Sequence, residues 1–251
     1  MSTRHLAVGV IAVLLWSAPV TGQTARPASS PDSWQLEVTP YLWGSGVNGQ
    51  LGIENHTANI DASFSNILSH LHFAAMGLAD ARRGKLLIVT DIMYTDLRGQ
   101  RATPGPLFSS VNPQQKTVIL TPEAGYRVLE SDAASLDVVG GVRVWHLGSE
   151  LQFQPGVLPG LDLQDSHTWF DFVAGARARQ ALPRNWWLTV YGDLGAGESI
   201  HTYQVIGTAG LDIHRRYMLV FGYRYLNVDY RQLVLLNTAM KGPLFGFTIK
   251  F

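Results

Sequence analysis

The sequence predicts an all-β fold: a closed antiparallel transmembrane β-barrel of about ten strands, with eight or twelve also possible. Three observations predict it. Side-chain character alternates with a period of two from Trp34 onward. The alternating segments are mostly about 11–15 residues long, whereas soluble strands usually have five or six and a tilted membrane strand needs roughly 9–11. Short and long connections also alternate along the chain, as they do in membrane barrels.

The N-terminus has the pattern of an export signal. Arg4 is followed by an eleven-residue apolar run, Leu6 to Trp16, and then by small residues up to Gly22. Eleven apolar residues are too few to span a bilayer, where about 20 are needed, so an uncleaved signal anchor is the weaker alternative. The predicted organisation is a signal peptide at 1–22, a flexible periplasmic tail at 23–33 and an outer-membrane barrel at 34–251.

Ten alternating segments follow in order. We predict strands at about 34–53, 73–82, 85–98, 116–129, 134–153, 166–180, 186–198, 201–213, 217–230 and 239–251. Tight turns are predicted at 83–84, 130–133, 181–185 and 214–216, and long loops at 54–72, 99–115, 154–165 and 231–238. An even number of strands with periplasmic turns places both chain termini in the periplasm.

Within each segment one face is apolar and the other carries glycine, threonine and charge. Tyr217, Phe221 and Tyr225, for example, alternate with Gly222 and Arg224. A secreted β-sandwich or a lipocalin-like barrel would alternate too, with its apolar face inward. That alternative leaves many charges scattered along the outside of the strands. A lipid-facing barrel instead uses the aromatic residues as interfacial girdles and the charges as the lining of a polar lumen.

The phases of the strands predict a charged lumen of eight acids and six arginines. Charges of both signs in a narrow lumen should pair, because an unpaired buried charge costs several kcal/mol. Ten strands lie near the size at which side chains fill the interior, although the lumen glycines 125, 141, 175, 210 and 222 would leave room for water. The predicted network comprises Glu37, Asp80, Arg82, Asp91, Glu123, Arg127, Asp137, Arg143, Asp171, Arg177, Arg179, Asp193, Asp212 and Arg224.

The chain ends on an apolar comb made of Phe245, Phe247, Ile249 and Phe251. In a closed barrel the last strand pairs with the first, so this end is a structural seam. An alternating last strand with a terminal phenylalanine is similar to the signature of Gram-negative outer-membrane proteins that the barrel-assembly machinery recognises. The resemblance implies an outer-membrane location, with lipid around the barrel and with assembly machinery and periplasmic chaperones as partners during biogenesis.

A second resemblance covers most of the mature chain. The stretch "WQLEVTPYLWGSGVNGQLGI", followed by "DASFSNIL" and "MGLADARRGKLLIVTDIMYTDL", resembles a family of small, uncharacterised outer-membrane β-barrel proteins. That family brings no activity to carry over. The oligomeric state stays open.

Residues 63–71 break the two-residue period. Phe64, Ile67, Leu68 and Leu71 have the spacing of a short amphipathic helix, and Ser63 is placed to cap it. The helix lies in the first long loop, where it could be a lid over the mouth of the barrel or a segment packed on the rim. The rim position is the simpler interpretation.

Composition and motifs limit the possible functions. Charged residues make up 15% of the chain, Lys plus Arg equals Asp plus Glu at 19 each, and there is no cysteine. We therefore expect no nucleic-acid partner, no thiol chemistry and no cofactor. His70 and His72 form a pair without a third ligand, so we expect no metal site.

An enzyme at the rim is a further alternative. Omptin-type outer-membrane proteases resemble this chain in having ten strands and rim Asp and His residues. Ser199 and His201 could instead suggest an esterase. Neither set has a family motif around it, so we assign no catalytic residue; the rim candidates are Asp96, Asp165, His167, His201 and Asp229.

Three functions remain from the sequence. The first is a structural envelope protein or narrow channel with a charge-paired lumen. The second is a surface-interaction protein that binds through its long extracellular loops. The third is the rim hydrolase.

Overall fold

The computed structural model describes residues 33–53, 56–231 and 235–251. The predicted signal peptide, and all of the predicted tail except Ser33, lie outside the described residues. The prediction of a closed antiparallel barrel of ten strands with one short helix is confirmed. Among the described residues, no helix is long and apolar enough to cross a membrane.

Thirteen strand segments and one helix make up the described fold. They are β1 (Gln35–Trp43), β2 (Gly46–Ile53), β3 (His56–Ala62), α1 (Phe64–His70), β4 (Leu71–Arg83), β5 (Leu86–Arg98), β6 (Arg101–Ala102), β7 (Phe108–Glu130), β8 (Ala134–Pro155), β9 (Leu161–Leu182), β10 (Trp186–Gly197), β11 (His201–His214), β12 (Tyr217–Arg231) and β13 (Leu235–Lys250).

The wall of the barrel closes between its first and last strands. The order is β1, β4, β5, β7, β8, β9, β10, β11, β12 and β13, and β13 pairs with β1 antiparallel with Glu37 opposite Lys250. The first part of β13, from Leu235 to Lys241, pairs with β2, and β2 in turn pairs with β3. β1 with β2, and β3 with β4, therefore each form one wall position, which gives ten positions in all.

The tight turns, the start of β1 and the end of β13 lie at one end of the barrel, which we call the turn end; the opposite end is the loop end. The predicted turns connect β4 to β5, β7 to β8, β9 to β10 and β11 to β12. Gly84 has a φ of 57°, and Arg184 and Asn185 have φ of 63° and 64°, the left-handed conformation that tight hairpin turns use.

The predicted loop-end connections were wrong in extent. The segment predicted as one strand at 34–53 breaks at Gly44 and Ser45, because β1 pairs with β4 whereas β2 pairs with β3, and α1 is inserted between those two partners.

Three strands are longer at the loop end than predicted. β7 begins at Phe108 and β9 at Leu161, well inside the predicted loops at 99–115 and 154–165. The reason is mutual pairing: β7, β8 and β9 continue their ladders beyond the membrane-crossing length, with Val111 opposite Phe153 and Phe153 opposite Leu161. The loop predicted at 54–72 likewise contains β3 and α1, and β13 starts within the one predicted at 231–238.

An apolar band surrounds the outside of the wall. Leu42, Phe172 and Leu194 are among its most exposed members. Aromatic pairs mark its two edges: Tyr217 stacks on Phe247 towards the turn end, and Tyr203 on Tyr225 towards the loop end, with ring centroids 5.5 and 5.6 Å apart. Aromatic girdles of this kind are typical of barrels in a membrane.

Helix α1 lies at the rim of the wall, outside the lumen. Ser63 caps it by accepting a hydrogen bond from the Asn66 backbone N–H at 3.3 Å. None of its residues is buried, and the ring of Phe64 lies where a Cβ on Gly44 would meet it, at 3.3 Å. Gly44 follows the lumen-facing Trp43, so this contact is on the outer side. The rim interpretation therefore describes α1 better than a lid.

Candidate functional site in the barrel lumen

The lumen side chains form three layers along the barrel axis. The turn-side layer is ionic, the middle layer mixes charges with hydroxyl groups, and the loop-side layer is apolar and aromatic. The turn-side layer comprises Glu37, Asp80, Arg82, Arg127, Asp137, Arg177, Arg179, Asp212 and Lys250. The middle layer comprises Tyr41, Asp91, Thr121, Glu123, Arg143, Tyr191, Asp193, Gln204 and Arg224. The loop-side layer comprises Trp43, Met93, Ile119, Trp145, Trp169, Leu226, Val228 and Tyr230.

Ion pairs connect the strands of the turn-side layer. Asp137 is fully buried and accepts from both Arg127 at 2.7 Å and Arg177 at 3.0 Å. Arg177 also pairs with Asp80 on the far side of the lumen. Two arginines around one carboxylate satisfy its oxygens and offset the cost of removing that charge from water.

The rest of the turn-side layer is less tightly held. Arg179 pairs with Glu37 at 3.5 Å and lies over the ring of Trp187, 5.0 Å from its centroid. Arg82 pairs with Glu130, the last residue of β7, at 3.6 Å. Lys250, the penultimate residue, pairs with Asp212.

Two buried arginines organise the middle layer. Arg143 donates to Asp193 at 2.7 Å, to Thr202 at 3.1 Å and to Thr121 at 3.3 Å. Arg224 pairs with Asp91 at 2.8 Å, and its guanidinium lies over the Trp43 ring, 4.9 Å from the centroid. Arg224 thus joins the middle layer to the aromatic residues above it.

The Tyr191 hydroxyl lies between two carboxylates. It is 2.8 Å from Glu123 Oε1 and 2.7 Å from Asp193 Oδ2. A hydroxyl has one proton to donate, so it can donate to only one of the two carboxylates at a time. Asp193 also accepts from Arg143 and from Gln204, which makes it the most heavily hydrogen-bonded acid of the middle layer.

The loop-side layer closes the lumen by aromatic packing. Trp145 stacks on Trp169 at 5.5 Å with 4° between the rings, and Trp169 stacks on Tyr230 at 4.5 Å. Leu226 and Val228 fill the adjacent space and have no exposed surface. Large rings in stacked contact leave no path for water between them.

Open space in the lumen lies on the turn side. A vestibule of about 390 Å³ is bounded by Glu37, Asp80 and Arg179, and a deeper cavity of about 150 Å³ shares those residues and reaches Gln204 and Leu244. No residue of the loop-side layer lines either cavity. These two cavities thus form a blind space that opens at the turn end.

The lumen glycines have a different role from the one predicted. We expected them to leave room for water. A Cβ on Gly141 would instead lie 2.0 Å from the Pro122 carbonyl oxygen, and one on Gly175 would lie 2.3 Å from that of Gly192. These glycines let neighbouring strands approach closely where the wall curves, so the space a side chain would need is already filled by backbone.

The structure places all fourteen residues of the predicted network on the lumen side. Twelve of them have a partner of opposite charge. Glu123 instead accepts from Tyr191, and Asp171 accepts from the Ser199 backbone N–H at 2.8 Å. Lys250 was not among the predicted lumen charges, although the alternation that turns Phe247 and Phe251 outward turns Lys250 inward. The aromatic layer was not predicted either, although Trp145 shares a face with Arg143.

The rim residues do not assemble into a catalytic set within the described chain. Asp96 and Asp229 each bond the arginine two residues further on, at 2.8 and 2.7 Å. The Ser199 hydroxyl is buried and accepts from the Trp169 indole N–H at 2.9 Å. His201 lies opposite Asp229 in the register, but its ring stacks on Tyr203.

The other two rim candidates also lie apart. The remaining rim histidine, His167, contacts the Tyr230 hydroxyl. Asp165 is exposed, opposite Ser149 in the register. Among the described residues, no group of three His, Asp or Glu side chains is placed to hold a metal ion.

The apolar outer band, the two girdles and the ionic lumen define an outer-membrane type of β-barrel. The chain is similar in fold to the outer membrane protease OmpT from Escherichia coli, with a TM-score of 0.54, 8% identity, and coverage of 88% of this chain and 98% of that one. At this identity the likeness establishes the fold and does not carry the protease activity.

Two further structures have lower scores. The translocator domain of autotransporter NalP from Neisseria meningitidis has a TM-score of 0.47 and 12% identity, and covers 87% of this chain and 88% of its own. Ail, the attachment invasion locus protein of Yersinia pestis, has a TM-score of 0.40 and 10% identity, with coverage of 88% and 99%. Scores this low carry no further argument. No protein-family model matches the sequence, and no curated protein matches it either.

Proposed function

We propose that this chain is an outer-membrane β-barrel that acts as a non-conducting structural envelope protein, with its turn end in the periplasm. The apolar band and the girdles support the membrane position. Short turns at one end and extended strands at the other support the orientation. Membership of the small uncharacterised outer-membrane family belongs to the same proposal.

The loop-side layer is the observation that carries the proposal. A channel needs a continuous hydrated path, and wide aqueous barrels have 16 or more strands. Here Trp145 and Trp169 are each 1% exposed and stack on each other from the neighbouring strands β8 and β9, and Trp169 also stacks on Tyr230 of β12. Twelve of the fourteen network charges beneath them have a partner of opposite charge, which offsets part of the cost of burying them.

Planar-bilayer recording tests the proposal. The wild-type barrel should show no steady single-channel current, because the loop-side layer excludes water. A Trp145→Ala/Trp169→Ala variant should conduct, since it removes the stacked pair, and Phe172→Ala on the lipid side should behave as the wild type. Steady current through the wild-type barrel would contradict the proposal and favour the narrow channel.

We also propose that the apolar comb from Phe245 to Phe251 is the signal for the barrel-assembly machinery. The β1–β13 seam supports this, since the Phe251 backbone N–H donates to the Leu36 carbonyl oxygen at 2.8 Å and closes the last register position. Deleting Phe251 should reduce heat-modifiable, membrane-inserted protein while export across the inner membrane continues. Normal insertion of the deletion variant would argue against the signal.

Surface interaction is a second candidate, favoured by the extended sheet of β7, β8 and β9. Its lumen-side face presents Leu151, Leu161 and Leu163, which are exposed although they lie beyond the apolar band. Exposed apolar residues grouped on one face often mark contact with another protein. Leu151→Ser/Leu163→Ser should lower the retention of cells displaying the barrel on immobilised extracellular proteins, whereas equal retention at equal abundance would remove this candidate.

A further inference from the structure

A depression on the outer wall lies just beyond the apolar band, where β5, β7 and β8 run side by side. We call it the β5–β7 pocket. Its volume is about 450 Å³, and the described residues that line it include two cations and four side-chain amides but no acid. It is lined by Arg98, Gly99, Gln100, Asn112, Pro113, Gln114, Lys116 and Gln152.

A buried carboxylate holds two of the lining side chains in place. Asp96 is only 3% exposed and accepts from Arg98 Nη2 and from Gln114 Nε2, both at 2.8 Å. His72 Nδ1 lies 3.3 Å from the same carboxylate. Asp96 thereby orients Arg98 and Gln114 without itself lining the pocket.

Lys116 supplies a positive charge that Asp96 does not neutralise. Its side chain is exposed, and no ion pair involving it is found among the described residues. Lys116 lies opposite Asp96 in the register of β5 and β7. The pocket therefore combines one oriented guanidinium with one accessible ammonium.

The height of the pocket relative to the membrane indicates what could occupy it. Tyr94 and Val118 face lipid two residues below Asp96 and Lys116, and Phe73 packs on Tyr94 at 5.8 Å as part of the loop-end girdle. The pocket begins where the apolar band ends and opens away from the lumen. Lipid headgroups occupy this level of a bilayer, so a headgroup could enter with its acyl chains lying along the band below.

We propose that the β5–β7 pocket binds the headgroup of a phosphate-bearing glycolipid in the outer leaflet. Arg98 and Lys116 would bind phosphate oxygens through charge-assisted hydrogen bonds, and the amides of Asn112, Gln114 and Gln152 would bind sugar hydroxyls. The inference rests on the proposed orientation, which places the loop end at the cell surface. Protease cleavage of the loops on intact cells checks that orientation separately.

Native mass spectrometry of the purified barrel in detergent tests the inference. Bisphosphorylated lipid A and its dephosphorylated form are the two probes. The wild type should bind the phosphorylated form at least about tenfold more tightly, and Lys116→Gln should weaken that binding by ~tenfold, the loss expected for one charge-assisted contact. Arg98 is left unchanged because its removal would take the guanidinium away from the buried Asp96 carboxylate and could disturb the fold.

Lys241→Gln is the matched control. Lys241 is an exposed cation on another part of the wall, opposite Tyr225 of the loop-end girdle, and should not affect binding. Equal loss in both lysine variants, or no preference for phosphate, would overturn the inference. A soluble sugar phosphate serves as a third probe. If it binds the wild type as tightly as bisphosphorylated lipid A does, the inference is also overturned, because the acyl chains would then contribute nothing. None of these readouts depends on conductance, so they leave the proposal of a sealed barrel to its own test.

Discussion

The loop-side and turn-side layers of the lumen are built by the same strands and the same alternation, yet they differ in almost every physical property. On β8, Arg143 and Trp145 are two residues apart and face the same way, and on β9, Trp169 and Asp171 are related in the same manner. The period of two decides which face a side chain occupies. The order of residue types along that face decides whether a layer is dry or hydrated.

The difference follows from access to water. The turn-side layer borders the vestibule, so its charges keep part of their hydration and their pairs tolerate longer distances, such as 3.5 Å between Arg179 and Glu37. The loop-side layer has no such access and is packed with rings. Arg143 and Arg224 lie at the boundary and are 0% and 1% exposed, so their charges depend on the carboxylates beside them, Asp193 and Asp91.

The largest expected effect is at that boundary. Arg143→Ala should reduce the free energy of unfolding by about 3–5 kcal/mol, because it leaves Asp193 buried without its cation. Urea unfolding in one lipid, with Lys241→Ala as the exposed reference, measures the loss. A gain in stability would mean that Arg143 faces lipid, where arginine is itself unfavourable.

Arg177→Ala should have an intermediate effect. Its side chain is 14% exposed beside the vestibule, and Asp137 would keep Arg127 as a partner, although Asp80 would lose its cation. We expect a loss of about 1–3 kcal/mol, between the values for buried and exposed pairs. The same unfolding series measures it, and a loss equal to that of Arg143→Ala would show that the turn-side layer is as dry as the boundary.

Arg179→Ala should have the smallest effect of the three. Its pair with Glu37 is long, and both side chains are about one quarter exposed, at 24% and 27%. The loss should be ~0–1 kcal/mol and should shrink further in high salt, since exposed pairs are screened. A salt-independent loss of several kcal/mol would contradict a hydrated vestibule.

Much of the fold could be predicted from the sequence because the alternation is strict where lipid requires it. Membrane-crossing strands must present apolar side chains outward, so Phe170 and Phe172 reveal the phase of β9 unambiguously. The same phase places Asp171 and Arg177 inside. A one-residue error would move every charge into lipid, which makes the inward assignment robust.

Other features left weaker signals. Beyond the apolar band no lipid faces the strands, so nothing requires apolar and polar residues to alternate there. The extensions of β7 and β9 were therefore predicted as loops. The break after Trp43 depends on a change of partner, from β4 for β1 to β3 for β2, and the alternation within the segment does not contain that change. The dry layer was not predicted because Trp145 and Trp169 follow the same two-residue period as the charges on their face, and the period alone does not show where rings pack together inside the lumen.

The central claim is that the lumen is open at the turn end and sealed at the loop end. Site-directed labelling of single cysteines tests this claim most directly. The chain has no cysteine, so single cysteines can be introduced without background. Thr189→Cys lines the turn-side cavity, and Val228→Cys lies in the loop-side layer. In vesicles whose barrel orientation is established by protease cleavage of the loops, a membrane-impermeant methanethiosulfonate should modify Thr189→Cys from the turn end only and should not modify Val228→Cys from either end. Modification of Thr189→Cys from the loop end would contradict the account, because the reagent would have passed through the aromatic layer.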